Sequence, residues 1–314
     1  MNVAVLDDYQ RAIERSPAIA RLKAQHRVAV FTEKFASEQD AAHALKGVQA
    51  VIPIRERTRF TASLIRSLPD LELIAQTGNH AYHIDMEAAT AAGIVVSLAP
   101  GGNSVTELTF GLMIDAMRRV SSSDAAMRRG EWPLVLGYVL RGKTLGILGM
   151  GKIGVEVAAI ARAFGMKVVA WGPTLTAERA QKSGAEYLPL DDVMRTADVV
   201  SVHLKLSDQS KGLLDEKRLR LMKPTAYLVN TARGPIVDEG ALLEALTQNK
   251  IAGAGIDVFA VEPLPVEHPF RKLDNLVLTP HLGYVTEDSF RNHYRQMVEG
   301  IDAWFKGEPK QRLA

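Results

Sequence analysis

The chain has 314 residues, 38 Lys plus Arg against 36 Asp plus Glu, a formal net charge of +2, 47% hydrophobic residues and no cysteine. That length exceeds what a single core usually supports, so two globular domains are expected. Balanced charge offers no basic surface for nucleic acid, the missing cysteine excludes disulfides, thiol nucleophiles and thiolate metal sites, and no apolar run approaches the roughly 20 residues of a membrane span.

The chain opens into a strand, Val3–Leu6, with no basic leader or apolar h-region before it, so the cytoplasm is the expected compartment. Apolar runs at Val28–Phe31, Ala50–Ile54, Leu73–Ala75 and Ile94–Val96 alternate with helical patterns such as Ser37–Leu45 and Thr61–Leu68. This alternation predicts one small parallel sheet near the N-terminus. A long helix is expected from Ser104 to Arg129, opened by the capping box Ser104-x-x-Glu107. Its apolar positions Leu108, Phe110, Leu112, Met113, Ile114 and Met117 supply a core face and leave others exposed. A second alternation has strands near Val168–Trp171, Val199–His203, Ala226–Asn230, Gly253–Ile256 and Leu276–Leu278. The last helix, Thr286 to Phe305, has no strand behind it and is expected to return over the first sheet. Pro100-Gly101-Gly102 and Pro280-His281-Leu282-Gly283 read as hinges. The class is therefore α/β, two βα domains in tandem with a cleft expected between them.

Between the two alternations stands Thr144-Leu145-Gly146-Ile147-Leu148-Gly149-Met150-Gly151-Lys152-Ile153-Gly154, a short strand running into Gly-x-Gly-x-x-Gly with a helical pattern behind it. Gly149 permits the tight turn, Gly151 lets backbone approach a pyrophosphate, and Gly154 lets the helix pack closely on the sheet with its N-terminal dipole aimed at phosphate. A dinucleotide site is expected there. The acidic residue that binds ribose hydroxyls usually stands about 20 residues further on. Here that region is Val168-Val169-Ala170-Trp171-Gly172-Pro173-Thr174, and no carboxylate occurs until Glu178. Without that charge a 2′-phosphate is not repelled, and Thr174, Thr176 or Arg179 could reach one, which tilts the expectation to NADP. NAD held through its other contacts is the competing reading.

Three ionisable residues follow in strand-end or loop contexts: Arg233 in Asn230-Thr231-Ala232-Arg233-Gly234, Glu262 after Asp257-Val258-Phe259, and His281 in Thr279-Pro280-His281-Leu282-Gly283. Carboxyl ends of strands line the ligand crevice of a doubly wound sheet. A guanidinium holds a carboxylate in two-pronged fashion, an imidazole exchanges a proton near neutral pH, and a carboxylate beside the imidazole stabilises its charged form. Singly, each has an ordinary structural reading: a surface ion pair, a Pro-His turn, a solvated loop carboxylate. Their joint placement carries the chemical one.

In order and spacing these blocks resemble the signatures of the D-isomer-specific 2-hydroxyacid dehydrogenases. The likeness extends to Ile54-Arg55-Glu56-Arg57-Thr58 and Gly102-Asn103-Ser104-Val105-Thr106-Glu107. It implies two Rossmann-like domains, a flavodoxin-like substrate domain of residues 1–99 plus 285–314 and a doubly wound dinucleotide-binding domain of residues 100–284. The implied activity is hydride transfer between NAD(P) and C2 of a small 2-oxoacid or D-2-hydroxy acid, of the glyoxylate/hydroxypyruvate reductase or phosphoglycerate dehydrogenase kind. His281 would be the acid/base, Glu262 its partner and Arg233 the holder of substrate carboxylate and carbonyl. Coenzyme contacts would come from Gly149, Met150, Gly151, Lys152, Ile153, Gly154, Gly172, Thr174, His203, Thr231, Ala232, Asp257 and Thr106, with Val105 packing nearby. Asp257 would meet the nicotinamide carboxamide. Thr77, Gly78 and Asn79, through their backbone amides, would seat the substrate carboxylate. By their own chemistry, Arg55 and Arg57 could meet a phosphate or second carboxylate on the substrate, or equally pair with Glu56 or Asp85.

Some residues depart from the family pattern. Gly172 stands where many members have Asp, and Tyr284 where a small residue is frequent. The loop Asn79-His80-Ala81-Tyr82-His83-Ile84-Asp85 differs from the commoner Asn-x-Val-Asp form, which obscures substrate choice. His80 and His83 without a third ligand make a poor metal site, so no metal is expected. No regulatory domain is expected beyond Ala314. The long helix with Trp132 and Leu134-Val135-Leu136 resembles the family's dimerisation arm, so a homodimer is expected, with neither nucleic acid nor membrane as partner. Two alternatives share the scaffold: an NAD(H)-binding sensor or corepressor, which the intact Arg, Glu and His argue against, and a formate dehydrogenase, in which Gln would replace Glu262.

Overall fold

Short β-branched runs become strands in two separate parallel sheets. The structure is a computed structural model that describes residues 1–78, 80–99, 104–133 and 135–307. The chain divides into one unit of Met1–Gly102 with Tyr284–Ala314 and a second of Asn103–Gly283.

In the first unit, β1 (Asn2–Leu6), β2 (Arg27–Val30), β3 (Ala50–Pro53), β4 (Leu73–Thr77) and β5 (Val95–Ala99) are ordered β2-β1-β3-β4-β5. That is the flavodoxin-like order. β1 pairs with β3 from Val3–Ala50 to Leu6–Pro53. Alternate side chains enter opposite layers, and both layers are buried: Val3, Val5, Ile52 and Leu73 in one, Ala4, Leu6, Val51 and Ile74 in the other. The helix Glu287–Phe305 starts where Thr286 accepts the Ser289 amide. It covers the first layer with Phe290, Tyr294, Met297, Val298 and Ile301.

In the second unit, β6 (Thr144–Leu148), β7 (Lys167–Trp171), β8 (Glu186–Tyr187), β9 (Val199–Val202), β10 (Tyr227–Asn230), β11 (Gly253–Ile256) and β12 (Leu276–Leu278) form a seven-stranded sheet. Its order is β12-β11-β10-β9-β6-β7-β8, which reverses direction between β6 and β9. That reversal is the topological switch point of a dinucleotide-binding sheet, and β6 is the strand that ends in the glycine turn. β8, only two residues long, leaves no period to read in the sequence.

The helix expected from Ser104 to Arg129 is two helices, Val105–Arg118 and Val120–Arg128, broken at Arg119 with φ 54°. Asp115 explains the break, because its carboxylate accepts the Ser121 amide and caps the second helix from the side. The expected capping box also fails: Ser104 makes no side-chain cap, and its hydroxyl donates to the Gly283 carbonyl at 2.8 Å. Phe110, Leu112, Met113 and Met117 are core, with Leu108 and Ile114 packed against them. None of these six is the exposed face that the sequence suggested.

Candidate functional site

The glycine turn is shaped by three backbone constraints. Gly149 adopts φ 105°, and a Cβ there would fall 2.7 Å from the His203 carbonyl oxygen. A Cβ on Gly154 would fall 2.1 Å from the Gly149 carbonyl oxygen, so the helix packs on the turn at a distance only glycine allows. Gly151 caps the helix Lys152–Ala163 without a side-chain hydrogen bond, and its missing Cβ faces open space. Those first-turn amides and the helix dipole suit a phosphate. Met150 turns its side chain into the core, as Ile153 does in part, while Lys152 is exposed.

Beside the turn lies a cavity of about 280 Å³, lined by Gly149, Met150 and Gly151, by the loop after β7 and by the loop after β9. Gly172, Thr174 and His203, which the sequence assigned to the coenzyme, all line it. Arg179 donates to the Thr174 carbonyl at 2.8 Å, and its own amide donates to Thr176 Oγ1. His203 Nε2 lies 2.8 Å from the hydroxyl of buried Ser201. Burial lowers the His203 imidazole to about 4, so it is neutral at physiological pH.

The loops after β10, β11 and β12 lie side by side, because these strands are successive neighbours in the sheet. In the first, buried Asn230 donates through Nδ2 to the Arg233 carbonyl, while its Oδ1 accepts the Ala232 amide. This closes an Asx-type turn that presents Arg233, whose Nη1 donates to the Ala232 carbonyl at 2.6 Å. A Cβ on Gly234 would sit 2.1 Å from the Phe259 carbonyl carbon, so this loop is pressed onto the one carrying Glu262. Thr231 bonds to Thr109 of the helix Val105–Arg118 at 3.1 Å. Thr106 donates to Glu156, and Val105 packs against Gly283.

His281 Nδ1 stands 2.7 Å from Glu262 Oε2. The other oxygen of Glu262 accepts the Phe259 amide at 2.9 Å, which fixes the carboxylate. Both side chains are partly exposed, at 23% and 35%, so the pair is open to a ligand. His281 itself has φ 54°, a left-handed conformation rare for a residue with a Cβ. Asp257 holds that turn. Fully buried, it accepts Thr279 Oγ1 and the Leu282 amide on Oδ1 and the Gly283 amide on Oδ2. Burial raises its pKa, against the pull of those three donors. The sequence pointed Asp257 at the nicotinamide. In the structure most of its acceptor capacity is spent on the loop that carries His281.

The remaining candidates belong to the first unit. The Gly78 amide, expected to seat a substrate carboxylate, donates to the Ala99 carbonyl at 2.7 Å and so is already committed. β5 runs beside β4 and supplies that acceptor. Thr77 Oγ1 accepts the Arg55 amide and donates to the Pro53 carbonyl. Asn79, together with the hinge at 100–102 and Leu134, lies outside the described residues. Arg57 is engaged with the Asp7 carbonyl and Gln10 and stacks on Tyr9. Arg55 lies over the Tyr284 ring and 3.7 Å from Glu56. His80 bonds to Glu56 and stacks on Tyr82, and His83 bonds to Gln76. Among the described residues no group of three or more His, Cys, Asp or Glu is arranged for a metal, and no helix is long and apolar enough to cross a membrane.

Sequence reasoning missed the positioning work of Asn230 and Ser201. Asn230 carried a signal, since Asn directly after an apolar strand favours such turns. Ser201, inside a strand, carried none.

Sheet order, glycine turn and the adjoining strand-end loops define a dinucleotide-binding α/β protein with an imidazole–carboxylate pair. Residues 110–283 match the family described as D-isomer specific 2-hydroxyacid dehydrogenase, NAD binding domain. Glyoxylate reductase of Aeropyrum pernix is 41% identical over 81% of this chain and 79% of that protein. D-3-phosphoglycerate dehydrogenase of Bacillus subtilis is 38% identical over 86% of this chain but only 52% of its own length. A crystal structure of phosphoglycerate oxidoreductase from Vibrio cholerae superposes with a TM-score of 0.93 at 34% identity, covering 98% of this chain and 99% of that one. The chain belongs to the D-isomer specific 2-hydroxyacid dehydrogenases, nicotinamide-dependent oxidoreductases acting on a CH–OH group.

Proposed function

We propose that this chain reduces a small 2-oxoacid, of the glyoxylate or hydroxypyruvate kind, to the D-2-hydroxy acid with NADPH. The observation that carries the reading is the His281–Glu262 pair at 2.7 Å, held at the carboxyl end of the sheet. The nicotinamide supplies the hydride when bound. His281 delivers the proton to the carbonyl oxygen from Nε2, the nitrogen left over by the bond to Glu262, and Glu262 fixes its tautomer and orientation through that bond. Arg233 holds the substrate carboxylate and polarises the C2 carbonyl with its planar fork. The Gly149–Gly154 turn takes the pyrophosphate on its amides, and the cavity bounded by Gly172, Thr174 and His203 takes the adenosine half. The missing carboxylate at Gly172 favours NADPH, because nothing there repels a 2′-phosphate.

A screen of glyoxylate, hydroxypyruvate and 3-phosphohydroxypyruvate against NADH and NADPH tests this. Turnover of the first two with NADPH is expected. Tight coenzyme binding without turnover of any 2-oxoacid would favour the sensor reading.

We also propose a homodimer. Trp132, Leu136 and Val139 are 78%, 98% and 62% exposed on the segment after the helix Val120–Arg128, an apolar surface suited to burial by a second copy. A monomeric mass in sedimentation at micromolar concentration would refute it.

A further inference from the structure

The cavity beside the glycine turn has cationic side chains on two walls and no acidic one. Arg179 stands on the side of the loop after β7, His203 and Lys205 on the side of the loop after β9, and no Asp or Glu is among the lining residues. Asp208, in the same loop as Lys205, does not line it. No ion pair joins Arg179 or Lys205 to a carboxylate among the described residues. Arg179 is anchored by one nitrogen to the Thr174 carbonyl, which leaves its other donors for a ligand. The backbone under Lys205 is fixed too: Ser210 donates its hydroxyl to the Lys205 carbonyl at 2.6 Å, and Ser210 Oγ in turn accepts the Ser207 amide. Gly172, on the floor between the two loops, has no side chain to fill the space.

From this arrangement we infer that Lys205 acts with Arg179 as a two-sided clamp for the 2′-phosphate of the adenosine ribose, making Lys205 a determinant of coenzyme choice. The inference deepens the NADPH reading and rests on it. A phosphate monoester carries close to two negative charges at neutral pH. Two cations lining one cavity from the segments that follow β7 and β9, with no carboxylate among the lining residues to neutralise them, suit a dianion. The ribose hydroxyls of NADH present no charge to either. Lys205 also escapes the sequence rule for coenzyme preference, which inspects only the end of β7. It stands after β9, a strand brought alongside β6 by the sheet order.

The test is calorimetric binding of 2′,5′-ADP and 5′-AMP, alongside NADH and NADPH, to wild type, Lys205→Ala, Lys205→Arg and Arg179→Ala at low and high salt. Wild type should bind 2′,5′-ADP at least about tenfold tighter than 5′-AMP, the order of one charge-assisted hydrogen bond. Raising the salt should shrink that ratio. Lys205→Ala and Arg179→Ala should each cut it severalfold, and Lys205→Arg should keep it. Equal wild-type affinities for the two nucleotides would overturn the NADPH reading and the clamp together, whereas a selective wild type with an unchanged ratio in Lys205→Ala would overturn the clamp alone; the dehydrogenase reading survives both. Failure of all four ligands to bind would overturn the coenzyme site itself, and the clamp with it.

Discussion

Asp257 and His281 are bound to each other through backbone as well as side chain. The His281 amide donates to the Asp257 carbonyl at 2.9 Å, while the Asp257 carboxylate grips Thr279, Leu282 and Gly283 on either side of the imidazole. The left-handed φ of His281 costs energy, and this clamp supplies the surroundings that hold it.

Replacing Asp257 by Asn puts an NH₂ donor where amide N–H groups now point. We expect a loss of about 1–3 kcal/mol in unfolding free energy, from one unmade bond and one opposed donor pair. Turnover should fall as well, because the turn under His281 relaxes. Urea denaturation read beside kcat checks this. An Asp257→Asn protein with wild-type stability would show that the clamp contributes nothing.

His281→Gln keeps a polar side chain but cannot shuttle the proton, so kcat should drop by about 10²- to 10⁴-fold with coenzyme affinity little changed. Glu262→Gln retains the hydrogen-bond geometry but loses the charge, and should cost less. Single-turnover kinetics with equilibrium coenzyme titration separates the two effects. If His281→Gln turned over like wild type, the acid/base assignment would be wrong.

Gly234→Ala tests the contact between the Arg233 and Glu262 loops. The added methyl would sit 2.1 Å from backbone at Phe259, which has no flexible end to yield. Overpacking of this kind costs on the order of 1–3 kcal/mol. Melting temperature and kcat should fall together, and an unchanged melting temperature would contradict the close approach.

Two buried histidines of the first unit should contribute acid sensitivity, beside His203 in the second. Burial holds His83 and His293 at about 4, below the value near 6.5 of an exposed imidazole. His293 donates Nδ1–H to the Ala99 carbonyl. Gln76 spends its NH₂ on the Arg55 and Thr77 carbonyls and therefore accepts from His83 Nε2, whose Nδ1 has no partner for an added proton. With folded values below unfolded ones, the stabilisation is complete above pH about 6.5 and is lost as pH falls towards 4, because the unfolded chain binds the protons. Unfolding free energies at pH 7 and pH 5 should differ more for wild type than for His83→Gln or His293→Gln. Equal differences in all three would refute the linkage.

The glycine turn, the alternating strands and helices, and the strand-end positions of Arg233, Glu262 and His281 were legible in the sequence because each depends on local signals: side-chain period, a backbone that excludes Cβ, a turn after an apolar run. Pairing of His281 with Glu262 was expected from the family likeness, and in the fold the two groups stand 2.7 Å apart. Partner choice over long separations was not legible. The Ser104 hydroxyl goes to Gly283, 179 residues away, and not to its own helix. The Gly78 amide goes to Ala99, and the carboxylate of Asp257 to the turn around His281, because adjacent strands deliver acceptors and donors that no nearby residue announces. The cavity with Arg179 on one wall and Lys205 on another exists only once the strand order sets β7 and β9 on either side of β6. Local sequence specifies which backbone shapes are permitted, whereas hydrogen-bond and charge partners follow from which chain segments the fold brings together.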